Sequence, residues 1–297
     1  MYHIPALLNE SIEGLNIQPG GVYVDVTFGG GGHSIEILSR MTGGRLIVFD
    51  QDAGAESNLP DDPRILFLNQ NFRFLRNNLL YEGVKEVDGI IADLGVSFHQ
   101  FDRPERGFSF RFDAPLDMRM NNRGGRTAAD IINGYPPEEL ARVIREYGEL
   151  KRASAIAGAI VEARRSSPVR TTGELADAVK RFLPPGGENK FLAQLYQSLR
   201  IEVNREMESL KEMLAQSLEM LKTGRRISVI TYHSLEDRLV KNFFRTGNFS
   251  GEVNKDFYGN IYSPFRLVNR KVIVPGEEEV ARNSRARSAR LRIAEKI

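Results

Sequence analysis

The chain has 297 residues, 41% hydrophobic and 27% charged, ordinary values for a soluble globular protein able to build one large core plus a satellite. No apolar run approaches the ~18 residues of a membrane span, the first nine residues lack the features of a secretory signal, and cysteine is absent, which excludes disulfides and thiolate metal sites. The net charge of +2 excludes a polycation, yet six arginines crowd between Arg103 and Arg126 and five more between Arg282 and Arg292. Such clusters on a near-neutral chain are how a phosphate-binding face shows in sequence, with a solvated loop and tail as the alternative. The four histidines, His3, His33, His99 and His233, have no metal-ligand spacing, so no metal site is expected.

In chain order, Val22–Val26 reads as a strand, followed by the run Gly29 to Gly32 and a helix from Ser34, its expected cap, to Arg40. Leu46–Phe49 is a second strand ending at Asp50, and Ile65–Leu68 is a third. Phe72–Leu80 has helical spacing, and Val87–Ala92 is a fourth strand ending at Asp93. Alternating units of this kind make a parallel sheet with helices on both faces. From Gly95 to Pro136 periodicity is lost. Helical stretches follow at Pro137–Tyr147, Lys151–Arg165, Gly173–Phe182, where Thr172 reads as the start, and Lys190–Lys222. Strand signals return at Ile227–Thr231, then a helix with Ser234 and Asp237 at capping-box offset, then strands at Phe265–Val274 and Arg290–Ala294.

About 130 residues therefore separate the fourth and fifth strands, where a crossover needs roughly a dozen. The expected fold is α/β: a discontinuous Rossmann-like domain over 1–105 and 207–297, carrying an inserted all-helical domain over 106–206.

The Gly-rich turn lets backbone approach a ligand at a helix N-terminus. It lacks the third glycine of the nicotinamide fingerprint, because Ser34 stands there. The acid Asp25 before it suits the ammonium of S-adenosylmethionine better than a pyrophosphate. Asp50, 21 positions after Gly29, is placed to accept from ribose hydroxyls, with Asp52 as competitor. Asp93 ends the fourth strand, and Phe72, Gln100 and His233 follow strands at the same edge; each alone also reads as an ordinary loop residue.

Several long phrases then stand in order: Asp93-Leu94-Gly95-Val96-Ser97, Glu105-Arg106-Gly107-Phe108-Ser109-Phe110, Pro115-Leu116-Asp117-Met118-Arg119-Met120, Leu199-Arg200-Ile201-Glu202-Val203-Asn204, His233-Ser234-Leu235-Glu236-Asp237-Arg238 and Arg285-Ala286-Arg287-Ser288. From His3 to the C-terminus the chain closely resembles the bacterial ribosomal small-subunit RNA methyltransferase H family, also called MraW. The resemblance implies a class I methyltransferase core with an inserted substrate-recognition domain. It also implies cytoplasmic N4-methylation of a cytidine in the decoding centre of 16S rRNA, and cofactor contacts at Gly31, Gly32, His33, Asp50, Phe72, Asp93 and Gln100. The chain departs from the family's usual text in Ser97-Phe98-His99-Gln100, in Tyr196-Gln197-Ser198, and in Tyr232 where phenylalanine is usual.

Three residues are candidates for the catalytic role: Asp93, Ser97 and His233. Arg106, Arg119, Arg123, Arg285 and Arg287 are the expected RNA-phosphate contacts. Phe98, Phe108, Phe110 and Phe112 either stack bases or pack a domain joint. The partner is free 16S rRNA or the small subunit, with no membrane, and the chain is a monomer or a homodimer. Two rivals remain: a methyltransferase acting on DNA or protein, and a non-catalytic RNA-binding assembly factor that keeps the cofactor pocket.

Overall fold

The computed structural model describes residues 5–96, 101, 103–253, 255, 257–258 and 263–297. They fall into two compact units, one made of Met1–Gly95 with Met207–Ile297, the other of Val96–Glu206. The helices are α1 (Leu8–Leu15), α2 (Gly32–Arg40), α3 (Leu75–Tyr81), α4 (Ala128–Gly134), α5 (Pro137–Glu146), α6 (Ala153–Ser166), α7 (Thr172–Ala178), α8 (Glu188–Asn204), α9 (Glu206–Met220), α10 (Ser234–Thr246) and α11 (Glu277–Arg282). Among the described residues no helix is long and apolar enough to cross a membrane.

Seven strands form the first unit's sheet: β1 (Val22–Asp25), β2 (Arg45–Phe49), β3 (Ile65–Leu68), β4 (Val87–Asp93), β5 (Leu221–Thr231), β6 (Phe265–Leu267) and β7 (Arg290–Lys296). Their order is β3-β2-β1-β4-β5-β7-β6. The first five pair in parallel, and β7 runs antiparallel to both β5 and β6. Strand alternation sends Val24, Ile47 and Ile90 into a core with Leu75, Leu210 and Phe244 from α3, α9 and α10. Tyr23, Leu46, Val48 and Ile91 enter a second core with Ile12 and Ile37 from α1 and α2. Both faces are covered, which is why the parallel strands read as continuous apolar runs. This is the mostly parallel, doubly wound Rossmann-like fold the sequence predicts.

The second unit is helical. Leu140, Ile144, Ile156, Ile160, Leu195 and Leu199 are buried in its core with Phe108, Leu116 and Met118. The stretch before α4, which lacks periodicity, is ordered by side-chain clamps instead. Asn204 accepts from Met120 N at 2.7 Å and donates to Met118 O at 2.8 Å. Arg106 is 9% exposed and donates to the carbonyls of Arg119 and Met120 at 2.8 and 3.0 Å.

Several expectations need correction. The long helix over Lys190–Lys222 is two, α8 and α9, broken at Arg205, whose φ of 50° is left-handed. Ser34 is not a cap: Gly31 occupies that position and Ser34 lies inside α2. Helix α7 does start at Thr172, and Thr171 caps it in a capping box with Glu174. The last hairpin is shorter than Phe265–Val274 suggests, although Ile273 still bridges to Leu291.

Asp237 is not a capping-box partner either, since His233 precedes α10 without a side-chain cap bond. Its carboxylate accepts from Arg292 Nε at 2.7 Å and Nη2 at 3.1 Å, with Arg290 Nη1 at 3.3 Å, tying α10 to β7. Asp237 is 10% exposed and Arg292 16%. Asp237→Ala should therefore leave a nearly buried guanidinium unpaired and lower unfolding stability in urea by about 3 kcal/mol. A loss below about 1 kcal/mol would place the pair among surface ion pairs.

Candidate active site

In an open α/β sheet, ligands bind beyond the carboxyl ends of the strands where the strand order reverses, here between β1 and β4. Asp25 ends β1, Asp50 follows β2, Asp93 ends β4, and Tyr232 with His233 follows β5, so sequence and register bring these groups to one edge.

Asp25 has a different task from the one its position suggests. It is 2% exposed, and its carboxylate accepts from Thr27 N at 3.0 Å and Ser34 Oγ at 2.7 Å. Burial raises its pKa against those bonds. It therefore shapes the β1–α2 turn from within. Gly29 and Gly31 in that turn have φ of 51° and 77°, left-handed values that suit glycine. A Cβ on Gly31 would stand 3.0 Å from the Phe28 ring, and one on Gly32 2.2 Å from Pro5 Cγ. A Cβ on Gly30 would meet nothing within 4 Å among the described residues, so the turn presents bare backbone there.

Asp50 accepts from Gly29 N at 2.8 Å and from Asp52 N at 2.8 Å, one bond to each carboxylate oxygen. Each oxygen keeps a lone pair for a further donor. Burial pushes its pKa up to about 6, opposed by those two amides. Asn58 Nδ2 donates to Gly29 O at 2.9 Å and fixes the same turn from the far side.

Asp93 is a strongly perturbed acid of the edge. Burial pushes its pKa up to about 7; the Tyr232 hydrogen bond opposes this, and the charges of Asp25 and Glu236 add to it. Tyr232 Oη donates to Oδ1 at 2.8 Å, and His33 Nδ1 lies 3.8 Å from Oδ2. His33 is 5% exposed, with Nε2 3.3 Å from Ala6 O. Asp93 N donates to Thr27 Oγ1 at 2.6 Å, which locks the end of β4 to the glycine turn.

Phe72 opens a short 3-10 turn after β3, half-buried against the core. His233 is nearly buried, with Nε2 3.2 Å from Glu236 Oε1 but, among the described residues, no aligned hydrogen bond at either ring nitrogen. Ser97, Phe98, His99 and Gln100 lie outside the described residues. The structure thus gathers Gly31, Gly32, His33, Asp50 and Asp93. It adds Thr27, Asn58 and Tyr232, of which only Tyr232 left a trace in sequence, as an extra hydroxyl beside His233.

The expected phosphate contacts fare differently. Arg106 is buried and spends its guanidinium on carbonyls. Arg119 is chelated by Asp117 at 2.8 and 2.7 Å, which holds that carboxyl below its usual range. Both stabilise the helical unit from inside. Arg123, Arg285 and Arg287 are exposed.

An S-adenosylmethionine molecule fits these residues: bare turn amides at the start of α2 for its amino-acid end, and a half-buried carboxylate with free lone pairs at Asp50 for ribose hydroxyls. Comparison with known proteins agrees. A protein of Parabacteroides distasonis called "Ribosomal RNA small subunit methyltransferase H" is 60% identical over 298 residues, covering 100% of this chain and 98% of that one. Proteins of the same name from Flavobacterium johnsoniae and Cytophaga hutchinsonii are 57% and 54% identical, each over 100% of this chain, and over 98% and 100% of their own lengths. The model of the MraW methylase family matches residues 1–297, so the chain belongs to that family.

Proposed function

We propose that the chain methylates the exocyclic N4 of a cytidine in the decoding centre of 16S rRNA, with S-adenosylmethionine as methyl donor. The coarser part, methylation of small-subunit rRNA, is supported by the names of full-length relatives at 54–60% identity. The observation that carries the chemistry is Asp93, held between Tyr232 and His33 at the switch-point edge.

The bound cofactor supplies an electrophilic methyl group on a sulfonium. The protein's work is then placement and proton handling. Asp50 accepts from the ribose hydroxyls, and the turn from Gly29 to Gly32 fixes the amino-acid end. The cytosine amine donates its lone pair to the ring and is a poor nucleophile, so an acceptor for one of its hydrogens must localise that pair. Asp93 is that acceptor: as the new N–C bond forms and the C–S bond breaks, the amine's proton passes to its carboxylate. A pKa of about 7 suits a base working near neutral pH. Ser97 and His233 remain secondary candidates. The helical unit, with the exposed Arg123, and the tail residues Arg285 and Arg287 contact RNA. Gln100 and Phe72 border the cofactor.

Labelled cofactor should deliver methyl groups to small subunits or 16S RNA and not to DNA, and nucleoside digestion should yield N4-methylcytidine. Label on another nucleoside would overturn the position, and label on DNA or protein the substrate class. Cofactor binding without transfer to any of them would favour the assembly-factor reading.

A further inference from the structure

We infer that a basic hollow in the sheet unit, between α10 and the β6–β7 hairpin, binds phosphodiester groups of the RNA substrate. The inference rests on the reading of that substrate as RNA. The hollow has a volume of about 310 Å³, and Lys241, Arg245, Leu267, Asn269, Arg270 and Arg292 line it without a carboxylate.

The ion pairs of the surrounding elements decide which charges are available. Arg292 and Arg290 are satisfied by Asp237, and Arg266 by Glu295. Lys241, Arg245 and Arg270 are exposed and, among the described residues, take part in no ion pair. Three cations without an ion-pair partner among the described residues thus face one concavity in a chain whose net charge is only +2. Lys241 and Arg245 stand four apart on one helix, a spacing at which like charges repel unless an anion lies between them.

The frame beneath is rigid. Phe243 and Phe244 of α10 pack on Phe265 of β6 with ring centroids 5.8 and 5.3 Å apart. Asn269 accepts from Ile293 N at 2.8 Å and donates to Lys271 O at 2.7 Å, which ties the Arg270 loop to β7. The cations are therefore held apart from one another rather than swinging on a loose tail. At 1.5 Å per residue, Lys241 and Arg245 lie roughly 10 and 16 Å along α10 from Ser234, which borders the catalytic edge. That distance suits phosphates a few nucleotides from the target base. The hollow's three available cations, Lys241, Arg245 and Arg270, belong to neither arginine cluster of the sequence.

The test is the full-length triple variant Lys241→Ala, Arg245→Ala and Arg270→Ala. Its binding to 16S RNA is measured at several salt concentrations, and its cofactor affinity by calorimetry. The expected result is at least tenfold weaker RNA binding at low salt, and a logarithmic salt slope smaller by about two, with cofactor affinity unchanged. A parent that binds RNA with a slope the variant reproduces overturns the phosphate site alone. A parent with no salt-dependent RNA binding overturns both the site and the substrate reading. Binding to anionic phospholipid vesicles that the triple variant loses, with RNA binding intact, assigns the hollow to a lipid surface and overturns the proposal.

Discussion

Asp93→Asn should leave the protein nearly inactive and, above neutral pH, more stable than the parent. Burial holds the Asp93 carboxyl near pKa 7 against an ordinary 3.8, so ionising it in the folded chain costs on the order of 4 kcal/mol. The sign follows from which state holds the proton. Below pH 4 both folded and unfolded chains are protonated, and the full stability is present. Between pH 4 and 7 the unfolded chain ionises first, and stability drains away at about 1.4 kcal/mol per pH unit from this group. Above pH 7 the loss is complete and constant. Asparagine keeps an oxygen for the Tyr232 hydroxyl and carries no charge to bury, so its advantage should open through that window and plateau above it. Methyl transfer should fall about 100-fold or more, the usual scale for removing a group that acts in the transition state. Urea unfolding at pH 5 and pH 8, without cofactor, together with single-turnover transfer, reads both effects. An asparagine variant that is equally stable at both pH values relative to the parent would show that Asp93 ionises freely in the fold. One that keeps its activity would remove Asp93 from the chemistry.

Asp50→Ala should weaken S-adenosylmethionine binding by about 10- to 100-fold, equivalent to about 1–3 kcal/mol, measured by calorimetry. Two losses combine here. The ribose hydroxyls lose their acceptor, and Gly29 N loses the 2.8 Å bond that holds the glycine turn open. Asp50→Asn should do little better, because an amide offers one oxygen and one NH2 where two backbone N–H groups need acceptors. Hydroxyl donors favour the ionised carboxylate, and burial holds that group at about pKa 6 without them. The parent's advantage over Asp50→Ala should therefore grow from pH 5 to 7 and then level off. An advantage that shrinks over that range would mean the neutral acid is the binding form, and equal affinities would make Asp50 a loop residue only.

Strands β2 and β4 were legible because each is an apolar run that stops at an acid. Asp50 and Asp93 were legible for the same reason. What the sequence hid is what depends on partners far along the chain or on single backbone angles. The bond from Tyr232 to Asp93 joins residues 139 apart, and no local pattern announces it. The break at Arg205 is made by a left-handed arginine, with none of the glycine or proline that usually marks a helix end. Helix α1 is flanked by Leu7 and Asn16, both left-handed and neither a signalled cap. Helix α4 did carry a signal, the capping box of Thr127 and Asp130, but its seven residues are too few for periodicity to show. Arg106 was misread because arginine density along a chain says nothing about which way a guanidinium turns. A nearby run of carbonyls claimed it.

The antiparallel strand β7 has a consequence for the order in which the molecule can be completed. It lies between β5 and β6 and is the hydrogen-bonded partner of both, yet it comprises Arg290–Lys296, at the C-terminal end of the chain. During synthesis, β5 emerges with its outer edge unpaired and waits for roughly sixty further residues before its neighbour exists. At ribosomal speeds of about 5–20 residues per second, that wait lasts about 3–12 s. Open apolar strand edges are templates for pairing with other chains. Throughout this interval α1, whose Ser11 carbonyl accepts from Ser228 Oγ, can shelter one face of β5 but cannot close its edge. The nascent protein is thus exposed to misassembly throughout this interval, until β7 pairs with β5 and closes that edge.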